Sequence, residues 1–208
     1  MFTRKKKIFI PIGSSCSVAS YLRHIGYRRE AFPFDWTVTP IDSAINLINN
    51  DFEDFFEKKN LVFLEPTNRL LFRENGIDVE VSEEIITPVY DKEHHILYVH
   101  DFSKNAKEEY DMVKEKYSKR VNRLKEVYNN ENINITFIFD NTKPNDWQQE
   151  QYANANYEFK ELLISDLKNI NIQRKNINII SLKDFKKNTF ILKLYKSISK
   201  KLRLNNAK

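Results

Sequence analysis

The sequence predicts an α/β fold: a single domain with a largely parallel open sheet and helices on both faces. Three observations carry this. Ile8 to Ile12, Ile133 to Phe139 and Ile177 to Leu182 are short β-branched and aromatic runs that read as buried strands. Apolar residues at helical spacing follow the first run and precede the second, so strands and helices alternate. There are only three glycines in 208 residues, which argues against a sandwich rich in tight turns. The domain is expected over residues 1–182, with a basic amphipathic helix or tail over residues 183–208.

The first strand ends at Gly13-Ser14-Ser15, which reads as a tight turn. Cys16 opens a helix with Val18, Ala19, Leu22 and Ile25 on one face, and Gly26 fits the stop. A helix N-terminus points unpaired backbone N–H groups outward and favours an anion. A thiol at such a place has its pKa lowered from about 8.5 to roughly 3.5–7.5. Free cysteine also packs as a small hydrophobe, so a buried structural thiol is the competing reading.

Next comes Phe32-Pro33-Phe34-Asp35-Trp36, where proline forces an extended or turned path. Asp35 among aromatic rings is either solvated or held by specific donors, since burying it unpaired is costly. Thr39-Pro40-Ile41-Asp42 opens a helix whose apolar face runs from Ala44 through Ile48 to Phe52, Phe55 and Phe56. Leu61 to Glu65 and Arg69 to Arg73 read as short strands joined by a Pro66-Thr67-Asn68 turn, and Gly76 to Pro88 as partly extended. His94 to Phe102 reads as a strand ending at a His100-Asp101 pair. A long helix follows through Tyr128, with Tyr110, Val113, Tyr117, Val121, Leu124 and Val127 inward and Lys119, Arg120 and Arg123 in its second half. The next strand ends at Asp140-Asn141, Thr142 to Gln151 reads as a polar loop around Trp147, and Tyr157 to Ile170 as an amphipathic helix.

The formal charge is +5, concentrated from Lys183 onward, where Asp184 is the one acid. Without that tail the chain is near neutral, so nucleic-acid binding is not expected. Ile191, Leu194, Ile198 and Leu202 space a helix with a lysine-rich opposite face, a candidate for peripheral membrane contact through residues 186–208. One cysteine leaves no internal disulfide and fits a reducing compartment. The basic start has too short an apolar run for a secretory signal, and no run is long enough to span a membrane. The expected location is cytoplasmic, with the tail available to the inner membrane face.

Ligands of open α/β sheets sit at the carboxyl ends of the strands. Three such ends carry reactive groups: Ser14-Ser15-Cys16, His100-Asp101 and Asp140-Asn141. Taken as parallel neighbours, they assemble acyl chemistry. Cys16 attacks, His100 moves the proton, and Asp101, Asp140 or Asn141 orients the imidazole. The Gly13-Ser14-Ser15 turn would bind substrate, with Asp35 and Trp36 nearby. His94 and His95 lie at the wrong end of their strand, and His24 faces solvent. A Cys-x5-Arg phosphatase loop is disfavoured because Arg23 comes one residue late. A Walker loop is absent, and no metal or bound cofactor is called for.

Gly13-Ser14-Ser15-Cys16, Phe32-Pro33-Phe34-Asp35-Trp36, Asp51-Phe52-Glu53-Asp54-Phe55, His100-Asp101-Phe102 and Lys119-Arg120-x-x-Arg123 together resemble the DUF1796 family, whose members are described as papain-like cysteine peptidases. The resemblance runs from about Ile8 to Phe139 and implies Cys16 and His100 as the catalytic pair, acting on a peptide. Proteins of this resemblance accompany bacterial surface-polysaccharide genes. That implies two alternatives: an acyltransferase or a deacylase acting on an acylated sugar. A coenzyme A thioester would then be the co-substrate, and Lys119, Arg120 and Arg123 its phosphate contacts. A non-catalytic module binding an anionic sugar or phosphate at the Gly13–Cys16 turn is the remaining alternative.

Overall fold

A computed structural model describes residues 5–13, 16–72, 79–140, 144–157 and 176–189. The strands are β1 (Lys6–Gly13), β2 (Thr37–Val38), β3 (Leu61–Phe63), β4 (Thr67–Phe72), β5 (Val79–Ile86), β6 (Val89–Asp91), β7 (Ile96–Tyr98), β8 (Ile133–Asp140) and β9 (Ile177–Ser181). The helices are α1 (Ser17–His24), α2 (Ile41–Asn49), α3 (Ala106–Asn129) and α4 (Asp146–Asn154). Residues 182–189 are also helical.

β1, β8 and β9 form a parallel sheet in the order β1-β8-β9. β8 is central, and its Ile133, Ile135, Phe137 and Phe139 alternate onto one face. There they meet Ile10 and Ile12 of β1, Ile45 and Ile48 of α2, and Tyr117 and Leu124 of α3. Ile138 points the other way, onto Val18 and Leu22 of α1 and Leu182 and Phe185. The parallel pairing and these helices agree with the α/β expectation.

The expectation of one largely parallel sheet is corrected: among the described residues only β1, β8 and β9 pair in parallel. A second, four-stranded sheet runs in the order β2-β7-β6-β3, and every pair in it is antiparallel. The strand expected over His94 to Phe102 is therefore no parallel neighbour of β1. It shrinks to Ile96–Tyr98 and hairpins onto β6 across the Lys92–His95 turn. Connections this short permit only antiparallel pairing, because a parallel crossover needs a dozen or more residues. The strand pair around Pro66 is also rearranged: β3 pairs with β6, and β4 with β5.

The Thr142–Gln151 loop is corrected in part. From Asp146 the chain is helical, started by a capping box in which the Asn145 side chain accepts from the Gln148 N–H and the Gln148 side chain accepts from the Asn145 N–H. The expected helix over Tyr157 to Ile170 and the basic helix beyond Phe190 lie outside the described residues. Among the described residues no helix is long and apolar enough to cross a membrane.

Candidate functional site

β1 is buried over Ile10 to Gly13, and its last residue, Gly13, has φ +115°, a backbone that a Cβ strains. Gly13 lies in register with Asp140, so the carboxyl ends of β1 and β8 are level. Cys16 then occupies the N-cap of α1, with φ −66° and ψ −10°. Its carbonyl accepts the Ser20 N–H at 3.0 Å, which closes the first helical turn. The expected placement of the thiol, beyond the end of a strand and at the start of a helix, is thus observed. Ser14 and Ser15 lie outside the described residues.

His100 approaches from the other sheet. It follows β7 in a bend, and its Nε2 lies 3.2 Å from the Cys16 Sγ. Both residues are half-buried, so the pair is open on one side. The bend is held from α3 through the neighbouring Asp101. The Asp101 carboxylate accepts from Lys116 Nζ at 2.6 Å on one oxygen and from Tyr117 Oη at 2.6 Å on the other. Asp101 was one candidate for orienting the imidazole, but its two oxygens face α3 and fix the backbone that carries His100. Burial, with the Asp101 charge beside it, holds the Tyr117 phenol well above its ordinary pKa, so it stays a donor.

Asp140 was a second such candidate. Its Oδ2 accepts a short hydrogen bond from the hydroxyl of Ser17, the first residue of α1. Asp140 therefore tethers the start of α1 to the end of β8. Asn141 lies outside the described residues.

Asp35 was expected near substrate, yet its side chain is 0 % exposed. Its Oδ2 accepts from Arg28 Nε at 2.6 Å and Nη2 at 2.5 Å. Burial pushes its carboxyl above the usual range, against the pull of the Arg28 charge and hydrogen bond, the Phe32 backbone contact and the Arg120 charge. A carboxylate enclosed in this way pins the turn and does not face a ligand. Trp36, half-buried, does reach the site: its ring meets that of His100 edge-to-face, at 6.4 Å between centroids and 83°.

The three cations of α3 do not converge. Lys119 is exposed and pairs with Glu115. Arg123 donates to the Ala31 carbonyl and lies 3.8 Å from Glu30. Arg120 lies over the Tyr117 ring at 5.0 Å. Arg123 thus braces the chain just before Phe32, Arg120 covers Tyr117 of its own helix, and an open cluster for phosphates is not formed. Among the described residues, no three His, Cys, Asp or Glu side chains are grouped to hold a metal ion.

Sequence reasoning missed Arg28, Ser17, Lys116 and Tyr117 as parts of the site. The signal for Arg28 was the demand that Asp35 be held by donors, with two arginines just upstream. Tyr117 read only as an apolar helix position, because spacing reports the face of a residue and not its hydroxyl.

The family model for DUF1796, described as "Putative papain-like cysteine peptidase", matches residues 7–188. An uncharacterized protein of Acanthamoeba polyphaga mimivirus is 29 % identical over 167 residues, covering 78 % of this chain and 72 % of the relative. No solved structure matches. The chain belongs to the DUF1796 family.

Proposed function

From that membership, we propose that the protein is a cysteine hydrolase of the peptidase type, with Cys16 as nucleophile and His100 as its general base and acid. The observation that carries this is the 3.2 Å approach of His100 Nε2 to a thiol at a helix N-terminus. With the imidazole proton on Nδ1, Nε2 takes the thiol proton as sulfur attacks the acyl carbon. The developing oxyanion is placed at the N-terminal end of α1, where the helix dipole favours negative charge. Collapse expels the leaving group with the proton returned by His100 and leaves a thioester on Cys16. Water, deprotonated by His100, cleaves that thioester, releases the carboxylic acid and restores the thiol.

Acyl transfer to a sugar hydroxyl, or deacylation of an acylated polysaccharide, would use the same pair with another acceptor or acyl group. The separate engagements of Lys119, Arg120 and Arg123 give a coenzyme A donor no particular support.

The test is hydrolysis of p-nitrophenyl acetate together with intact mass of the protein. The expected result is a burst with an acetyl adduct on the wild type, and neither on Cys16→Ala. Burst and adduct persisting in Cys16→Ala overturn the assignment. Peptide and acylated-sugar substrates, offered next, separate the acyl classes.

A further inference from the structure

The Phe32-Pro33-Phe34-Asp35-Trp36 stretch has more structure than a connection needs. Asp35 N–H donates to the Phe32 carbonyl at 3.2 Å, closing a turn. The next residue, Trp36, has φ +66°. A bulky residue in the left-handed region is uncommon, and such a backbone persists only where its surroundings over-determine it.

Those surroundings form a chain of contacts. The buried Asp35 carboxylate grips Arg28 through two nitrogens. The Arg28 guanidinium lies 5.6 Å from the centre of the Trp36 ring. Trp36 meets His100 edge-to-face, and His100 meets the Cys16 thiol. Beyond Trp36, Thr37 Oγ1 donates to the Phe34 carbonyl at 3.1 Å and lies 2.8 Å from Thr39 Oγ1. The Thr39 N–H then donates to the Gly13 carbonyl at 3.0 Å, at the end of the strand that leads to Cys16. The turn is therefore tied to both halves of the thiol–imidazole pair.

We infer that Arg28, Asp35 and Trp36 are positioning residues: the buried Asp35–Arg28 pair fixes the Trp36 indole, and the indole fixes the His100 ring with Nε2 toward the Cys16 thiol. This rests on the proposed Cys16–His100 chemistry. The alternative is that Trp36 fills space beside the site and leaves the imidazole unaffected. Packing alone has no need of a buried ion pair, which is costly to desolvate. Two nitrogens of one guanidinium converge on a single oxygen, Asp35 Oδ2, while its central carbon lies over the ring, a geometry open to arginine and not to lysine.

The experiment uses the full chain and its single cysteine. Iodoacetamide labelling is followed by intact mass from pH 5.5 to 9.5. The proteins are wild type, His100→Ala, Trp36→Ala, Trp36→Phe, Arg28→Met and the double variant His100→Ala/Trp36→Ala. Trp36→Ala and Arg28→Met are expected to slow labelling at pH 6.5 by about tenfold and to leave the high-pH plateau, where any thiol is ionised, unchanged. Trp36→Phe, which keeps a ring edge, should restore most of the rate. In the His100→Ala background, removing Trp36 should add less than about twofold, because a residue acting through His100 has nothing left to act on.

A wild-type profile in Trp36→Ala and Trp36→Phe, with His100→Ala slowed, overturns the positioning role alone. Equal slowing by Trp36→Ala with and without His100 also overturns it, since the indole then acts on the thiol directly. If His100→Ala itself labels like wild type, the Cys16–His100 reading fails, and the positioning role fails with it. Should Trp36→Ala not fold, Trp36→Leu takes its place in the same comparison.

Discussion

The parallel sheet that carries Cys16 and the antiparallel sheet that carries His100 are held by different forces. In the parallel sheet, β8 is flanked on both sides and its Phe137 and Ile138 are fully buried, so burial of apolar area fixes the strands. The antiparallel sheet shares that core through Val89, Ile96 and Tyr98, but its strands are two or three residues long. Its turns and bends are set by buried carboxylates instead. Asp91 accepts the N–H groups of Glu93 and His94 and bonds the His94 ring, Asp101 joins the His100 bend to α3, and Asp35 holds Arg28. The thiol half of the site is thus built mainly by apolar pattern, with the Ser17–Asp140 tie at its end, and the imidazole half mainly by polar ties.

The largest effect that breaks this contrast is a cavity in the parallel sheet. Phe137→Ala should cost about 3–5 kcal/mol, read by denaturant unfolding, and abolish Cys16 reactivity only as far as it unfolds the chain. Asp101→Ala removes no core volume, leaves the buried Tyr117 hydroxyl without its acceptor, and should cost roughly 2–3 kcal/mol. Its specific mark is loss of the His100 effect on thiol labelling while the fold, checked by circular dichroism, persists. A cost near zero with the His100 effect intact would contradict a polar tie as the support of this half.

Gly13→Ala sharpens the boundary between the halves. At φ +115° an alanine is strained, although its Cβ would meet Asp140 no closer than 3.4 Å. A loss of roughly 1–2 kcal/mol is expected, read as a lowered Tm. Tyr98→Phe runs in the opposite direction. Among the described residues the buried Tyr98 hydroxyl has no hydrogen-bond partner, so its removal should be neutral or stabilise by up to about 1 kcal/mol. A clear destabilisation would count against that reading.

The smallest effect is a pH dependence in the antiparallel sheet. Burial pulls the His94 imidazole down in pKa, but the Asp91 hydrogen bond and charge, with Glu93 and a Glu53 backbone contact, outweigh it and raise it above its ordinary value. A raised histidine stabilises fully below about pH 6.5 and loses that contribution as pH rises through its folded value. Tm should therefore fall slightly between pH 5.5 and 8, by less than about 1 kcal/mol in stability, and His94→Gln should flatten that part of the profile.

The same contrast decides what was legible in the sequence. Ile8 to Ile12 and Ile133 to Phe139 announce themselves because β-branched and aromatic residues dominate both short runs. Gly13 and the spacing of Val18, Ala19 and Leu22 then put Cys16 at the helix start, where the structure has it. His100 was placed at the right end of its strand for a reason that does not hold. It reaches Cys16 from an antiparallel sheet and not as a parallel neighbour. Strands of two or three residues carry too little periodicity to reveal their partners. Asp35 reads from the sequence as needing donors, and Asp101 and Asp140 as partners of the imidazole, but Arg28, Lys116 with Tyr117, and Ser17 are chosen as their partners by tertiary geometry, which spacing along the chain does not encode.

Activation of Cys16 by His100 is read from the pH dependence of iodoacetamide labelling of the wild type beside His100→Ala. The expected thiolate titrates well below about 8.5 in the wild type and moves upward when His100 is removed. An inert thiol, or an ordinary midpoint indifferent to His100, would contradict it and make Cys16 a packing residue.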